Sequence, residues 1–164
     1  GVLKMQGFDS SRRNLSTIAK ETQEKVLYYL LKEKNALAAV NYVKQVIDDL
    51  KNGRVPLRKT IIYTQLQKDL SKYETNAPHV AVAKNMQKQG FPVNPGLIIK
   101  YIVGKGEGTI GEKAKLPNEA EAYDSEYYIE NQIIPAVDKI FEAAGIDFVK
   151  ATAEKEQVSL KEFI

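Results

Sequence analysis

The sequence has no cysteine, no tryptophan and a single histidine, His79, in 164 residues. Without thiols there is neither a disulfide framework nor a thiolate metal site, and one imidazole cannot build a multi-histidine cluster, so any metal would rest on carboxylates. No apolar run approaches the roughly 20 residues needed to cross a bilayer. The N-terminus also lacks the long apolar stretch of a signal peptide. From these absences the chain is expected to be soluble and cytoplasmic, with no membrane partner.

What is present is enough apolar material, 43% of residues, for one compact domain with a tail. The net charge of +3 is unremarkable, but its placement is not. Residues 1–60 carry twelve basic against six acidic side chains, residues 61–113 seven against four, and residues 114–164 five against eleven. A basic front and an acidic back are what a protein that turns one side towards a polyanion shows.

The stretch from Val2 to Phe8 reads as a strand with no hairpin partner after it, and the sequence opens on Gly1 rather than methionine, as expected of a piece of something longer. From Asn14, taken as an N-cap, Leu15, Ile18, Ala19, Val26, Tyr29 and Leu30 follow the three-and-four spacing of an amphipathic helix running to about Lys34. A second helix is expected from Asn35, with Leu37, Val40, Val43, Ile47 and Leu50 on one face, ended by Gly53 and Pro56. The period then changes to two, predicting a strand over Thr60 to Leu66, with Ile61 and Tyr63 on one face and Ile62 and Thr64 on the other. Pro78 suits the first turn of a third helix, with Val80, Ala83 and Met86 on its apolar face and Gly90 at its end. Leu97 to Val103 is a second strand. The glycine-rich turn Gly104 to Gly108 lacks the spacing of a phosphate loop and no clear helix follows it, so a solvated hairpin turn is expected. A last long helix from Asp124 should bury Tyr128, Ile129, Ile133, Val137, Ile140 and Phe141, kink at Pro135 and stop at Gly145. Lys150 to Glu156 reads as a charged, mobile linker.

Three stretches carry a resemblance: Arg12-Arg13 followed by Ile18-Ala19-Lys20-Glu21-Thr22-Gln23, then Pro78-His79-Val80-Ala81-Val82-Ala83-Lys84, then Tyr123-Asp124-Ser125-Glu126-Tyr127-Tyr128-Ile129-Glu130-Asn131-Gln132. In this order and spacing, with Ile62 to Gln65 and Pro95 to Val103 between them, they resemble the thumb of archaeal family B DNA polymerases over most of residues 7–145. The resemblance implies an α+β fold, with long helices packed on a small antiparallel sheet and a flexible C-terminal tail. It divides the chain into a strand from the palm–thumb junction at 1–10, a thumb domain at 11–148, and a linker with a clamp-binding motif at 149–164. The aspartate motifs with which that family polymerises, resembling DxxSLYP and YxDTD, do not occur here, nor does its KxxxNSxYG nucleotide-binding motif. No polymerase or exonuclease activity is therefore expected of this chain alone, it needs no cofactor of its own, and Mg2+ is expected only in the palm. A large subunit carrying palm and fingers is an expected partner if the chain is one half of a split enzyme, with the strand at Val2 to Phe8 as its docking edge; the alternative is a segment of a single-chain polymerase.

The resemblance also implies which residues grip double-stranded primer-template DNA. The family's thumb holds duplex by its phosphates without reading sequence. Arg12 and Arg13 offer guanidinium forks for phosphate, unless they are ordinary solvated arginines. The start of the helix at Pro78 offers free N–H groups. Asn76 and His79 can donate to phosphate or sugar there, Lys84 adds charge, and Lys72, Tyr73 and Lys88 are further candidates. The alternative for His79 is that it merely caps or packs. Tyr127, Tyr128 and Asn131 are assigned to the core or to the palm interface. Independently, Gln157, Leu160, Phe163 and Ile164 match the spacing of a sliding-clamp-binding motif, in which one helical turn presents an apolar plug and the glutamine amide fills its own pocket. A terminal helix folded onto its own domain is the plainer reading. The rival for the whole chain is a non-catalytic scaffold joining the clamp to a protein partner.

Overall fold

The computed structural model describes residues 14–148. The strand expected at 2–8, the Arg12-Arg13 pair, the linker and the terminal motif lie outside the described residues.

The first helix, α1 (Thr17–Leu31), starts two residues later than expected. Ser16 is its N-cap, the hydroxyl accepting from the Ala19 N–H at 3.3 Å. Asn14 is engaged elsewhere: its Oδ1 accepts from the Thr64 hydroxyl at 3.0 Å, and its carbonyl accepts from Gln132 Nε2 at 2.7 Å. After a turn in which Lys34 takes φ 49°, Asn35 caps α2 (Ala36–Lys51) by accepting from the Ala38 N–H at 2.9 Å. The two helices form a hairpin whose inner stripe is Ile18, Ala19, Val26 and Leu27 against Ala39, Val40, Val43, Val46 and Leu50. Leu37, expected on that stripe, is 63% exposed. With α1 ending at Leu31, the first turn of α2 has little of it left to pack against.

Gly53, at φ 67°, and Pro56 end α2 and lead through the 3-10 turn Leu57–Thr60 into β1 (Ile62–Gln65). Along β1 the side chains alternate, with Ile62 and Thr64 buried and Tyr63 and Gln65 half-buried on the other face. After the 3-10 turn Leu70–Lys72, α3 (Pro78–Lys88) begins at the proline and closes before Gly90. The second strand, β2 (Ile98–Val103), runs antiparallel to β1, Ile62 facing Tyr101 and Gln65 facing Ile98. The glycine-rich turn then leads into a helical turn that the sequence reading did not foresee, α4 (Ile110–Lys113), capped by Thr109. It delivers the two-residue strand β3 (Ala114–Lys115) to the other edge of β2, completing a three-stranded antiparallel sheet in the order β1-β2-β3.

The last helix is also not a single kinked rod. Asp124 caps α5 (Ser125–Tyr128), a π-helical turn spans Ile129–Ile133, and α6 (Ile134–Ala143) follows. Pro135 has no N–H, and its ring crowds the carbonyl four residues back. The chain widens just before it, the Ile134 N–H reaching the Ile129 carbonyl five residues away. The wider turn buries the consecutive side chains of Gln132 and Ile133.

One apolar core joins the helical hairpin, the sheet and α6. Tyr128 lies fully inside it, its hydroxyl accepting from the Val103 N–H at 3.0 Å and donating to the Thr60 carbonyl at 2.6 Å. Mixed helices on a small antiparallel sheet are as expected from the sequence. Among the described residues no helix is long and apolar enough to cross a membrane.

Candidate functional site

An open groove of about 1110 Å³ is lined from two directions. Asn14, Thr64 and Gln132, joined to one another by the hydrogen bonds above, form one lining; Tyr73, Pro78 and His79, with Lys68, form the other. Tyr101, Tyr127 and Asn131 also face it.

Tyr73 organises the second lining. Its hydroxyl accepts from the Gln67 N–H at 2.9 Å, its ring meets the His79 ring edge-on at 5.7 Å, and Lys68 Nζ lies 4.9 Å from its centroid. The same tyrosine lines a second hollow, of about 470 Å³, together with Asp69, Ser71, Lys84 and Gln87. One aromatic ring thus stands between two hollows, each with a lysine.

His79 sits in the first turn of α3, which has Pro78 at its start and no side-chain cap. No side chain therefore takes up the N–H groups at the positive end of that helix's dipole. Burial pushes the His79 imidazole below its ordinary pKa, so at neutral pH it is uncharged, with one ring nitrogen donating and one accepting. Burial likewise raises Tyr101, to about 12, so its phenol stays protonated.

Of the residues picked out in the sequence, Tyr73 and His79 come together on the groove, and Lys84 lies in the neighbouring hollow. Lys72 is exposed at the end of its 3-10 turn. Asn76 is exposed just before α3, its carbonyl pressed on Gly111, where a Cβ would come within 2.7 Å of it. Lys88 is exposed in the last turn of α3 and lines neither hollow. Arg12, Arg13, Gln157, Leu160, Phe163 and Ile164 lie outside the described residues. Tyr128 belongs to the core, whereas Tyr127 is half-buried and Asn131 exposed.

Sequence reading missed Lys68, Gln67 and the Asn14–Thr64–Gln132 lining. Lys68 was available, as a cation between a strand and Tyr73. Gln132 was not, since its partners are more than 110 positions away: 116 to Ser16 and 118 to Asn14. Lys68, Lys72, Lys84 and Lys88 form no ion pair within the described residues, unlike Lys59 with Glu21 or Lys113 with Asp124. Among the described residues no group of three or more histidines, aspartates and glutamates is placed to hold a metal ion. The arrangement can bind an extended anion with free ammonium groups, helix N–H groups and neutral donors; it contains no nucleophile paired with a base.

Comparison with known proteins agrees with the resemblance. The family model for DNA polymerase family B matches residues 1–144. A DNA polymerase from Thermococcus aggregans is 46% identical over 149 residues, covering 88% of this chain and 8% of that protein. One from Pyrococcus glycovorans is 45% identical over the same share of this chain and 19% of its own length. The solved structure of the family B DNA polymerase from the hyperthermophilic archaeon Pyrobaculum calidifontis superposes with a TM-score of 0.64 at 34% identity, over 75% of this chain and 17% of that one. The chain belongs to DNA polymerase family B. It spans less than a fifth of the length of these relatives.

Proposed function

We propose that this chain is the thumb part of an archaeal-type family B DNA-directed DNA polymerase, either its C-terminal portion or a small subunit, and that it grips primer-template duplex during replication. The observation that carries the reading is a cationic patch: a helix start without a side-chain cap, a neutral His79 against the Tyr73 ring, and Lys68 on the groove with Lys84 in the neighbouring hollow, neither in an ion pair among the described residues. Phosphates would be met by the ammonium groups of Lys68, Lys72, Lys84 and Lys88, by N–H groups at the start of α3, and by donors from Asn76 and His79. Each neutralised phosphate releases counterions, so the grip is salt-dependent and indifferent to sequence. Arg12 and Arg13 extend the same grip. Catalysis and its Mg2+ belong to a palm carried elsewhere, which this chain docks against. Residues 157–164 tether the assembly to the sliding clamp, and two modest contacts joined in this way outlast either one alone.

The test uses the full chain and labelled primer-template duplex. Arg12→Glu with Arg13→Glu is expected to cause a large, salt-sensitive loss of duplex binding, and truncation from Gln157 is expected to remove clamp binding while sparing duplex binding. Duplex binding that ignores the charge reversal would favour the scaffold reading instead.

A further inference from the structure

The geometry points to Gln132 as a positioning residue for the DNA-facing groove, fixing the backbone that leads into α1; this rests on the duplex-gripping reading above. Gln132 is only 4% exposed and stands on the π-helical turn before Pro135. Its Oε1 accepts from the Ser16 N–H at 2.6 Å and its Nε2 donates to the Asn14 carbonyl at 2.7 Å. One side-chain amide therefore engages the donor of one residue and the acceptor two positions earlier, as a neighbouring strand would. On the same stretch Ser16 bridges Ile62 of β1, and the Asn14 side chain accepts from Thr64. A second amide, Gln23 of α1, donates to the Ala136 carbonyl at 2.8 Å, just past the π-turn.

The consequence is a short segment, residues 14–16, secured on one side by the sheet and on the other by Gln132. An ordinary helical turn would place position 132 differently, so the π-turn and the amide work as a pair. Asn14, Thr64 and Gln132 all line the groove, opposite in role to the lysine-bearing lining. Fixing Asn14 fixes one residue of the groove's own lining.

The test compares the full-length chain with its Gln132→Met and Val26→Ala variants. Methionine keeps the length of glutamine but strands the Ser16 N–H and the Asn14 carbonyl, whereas Val26 is a fully buried core residue that does not line the groove. Under conditions where all three remain folded, Gln132→Met is expected to raise the Kd for duplex roughly tenfold and to flatten the salt dependence by about one phosphate contact. Val26→Ala should leave both unchanged. Equal losses in the two variants, or no loss in Gln132→Met, would overturn the positioning role. Amide exchange provides a reading independent of DNA. The Ser16 amide should lose its protection in Gln132→Met while the middle of α1 keeps its own, and retained Ser16 protection would sink the inference even if the wild-type chain bound no duplex. Absence of wild-type binding alone would instead count against the parent reading.

Discussion

The two linings of the groove are built on opposite principles. On the Gln132 side, Ser16 and Gln132 are buried, and the Gln132 amide is spent on the Ser16 N–H at 2.6 Å and on the carbonyl of the exposed Asn14 at 2.7 Å. On the Tyr73 side, Lys68 on the groove and Lys84 in the neighbouring hollow are exposed and enter no ion pair among the described residues, as is true of Lys72 and Lys88 on the surface nearby in sequence. A buried polar group must be satisfied or it costs stability, while an exposed cation without a partner costs little and stays available. The first lining therefore holds shape and the second holds charge. Mutations should separate accordingly, and predictions can be ordered by how strongly they would strain that division.

The largest effect is expected deep on the shape-holding side. Tyr128→Phe leaves the Val103 N–H and the Thr60 carbonyl without their buried partner, at roughly 1 to 3 kcal/mol for each stranded group. Denaturant unfolding should show a loss of about 2 to 4 kcal/mol, with duplex affinity unchanged wherever the variant is still folded.

Next comes the one strong ion pair that bears on the last helix. Lys113 Nζ lies 2.5 Å from Asp124 Oδ2, with side chains 15% and 19% exposed, and Asp124 also caps α5. Burial alone would raise the Asp124 pKa, but the Lys113 hydrogen bond and charge, with the Tyr127 and Glu126 N–H groups, outweigh it and bring the carboxyl below its ordinary value. A lowered folded-state pKa means the stabilisation is complete above the unfolded-state value, near 4, and is lost as pH falls through the folded one. Lys113→Met should cost about 1 to 3 kcal/mol at neutral pH by stranding a mostly buried carboxylate, and less in acid, as unfolding measured from pH 7 downwards would reveal.

On the charge-holding side, Lys72→Ala with Lys84→Ala should move stability by no more than about 0.5 kcal/mol. The same pair should lower the steepness of the salt dependence of duplex binding by about two contacts. A marked loss of stability there would break the division.

The smallest effect belongs to His79. Its folded-state pKa lies below the ordinary one, so as pH falls from about 6.5 its burial works against the free protein. Phosphate favours the imidazolium, so duplex binding should tighten a few-fold over the same range. Because His79 is the chain's only histidine, His79→Gln should remove that increment, which titrations at pH 7.5 and 6 can check.

How much of this was legible in the sequence follows the same line. The charge-holding side is local. Pro78 starts α3, Gly90 ends it, and Tyr73, His79 and Lys84 lie within twelve residues of one another, so spacing alone brought them forward. The shape-holding side is not. Asn14 and Ser16 are both good helix caps, and what decides for Ser16 is a glutamine 116 positions away and a threonine in β1. Pro135 announced a disturbance in the last helix, but whether the chain bends or widens depends on what Gln132 can reach once it has turned. Lys68 was legible, as a cation between β1 and Tyr73, but only its 4.9 Å approach to the Tyr73 ring sets it apart from the other exposed lysines of the stretch.

The most direct test of the account is the salt dependence of duplex binding by the full chain, measured with two primer-template duplexes of unrelated sequence. The account predicts that log K falls linearly with log salt by about 0.9 for each phosphate contacted, with the same slope and affinity for both sequences. A slope near zero, or binding confined to one of the two sequences, would contradict it.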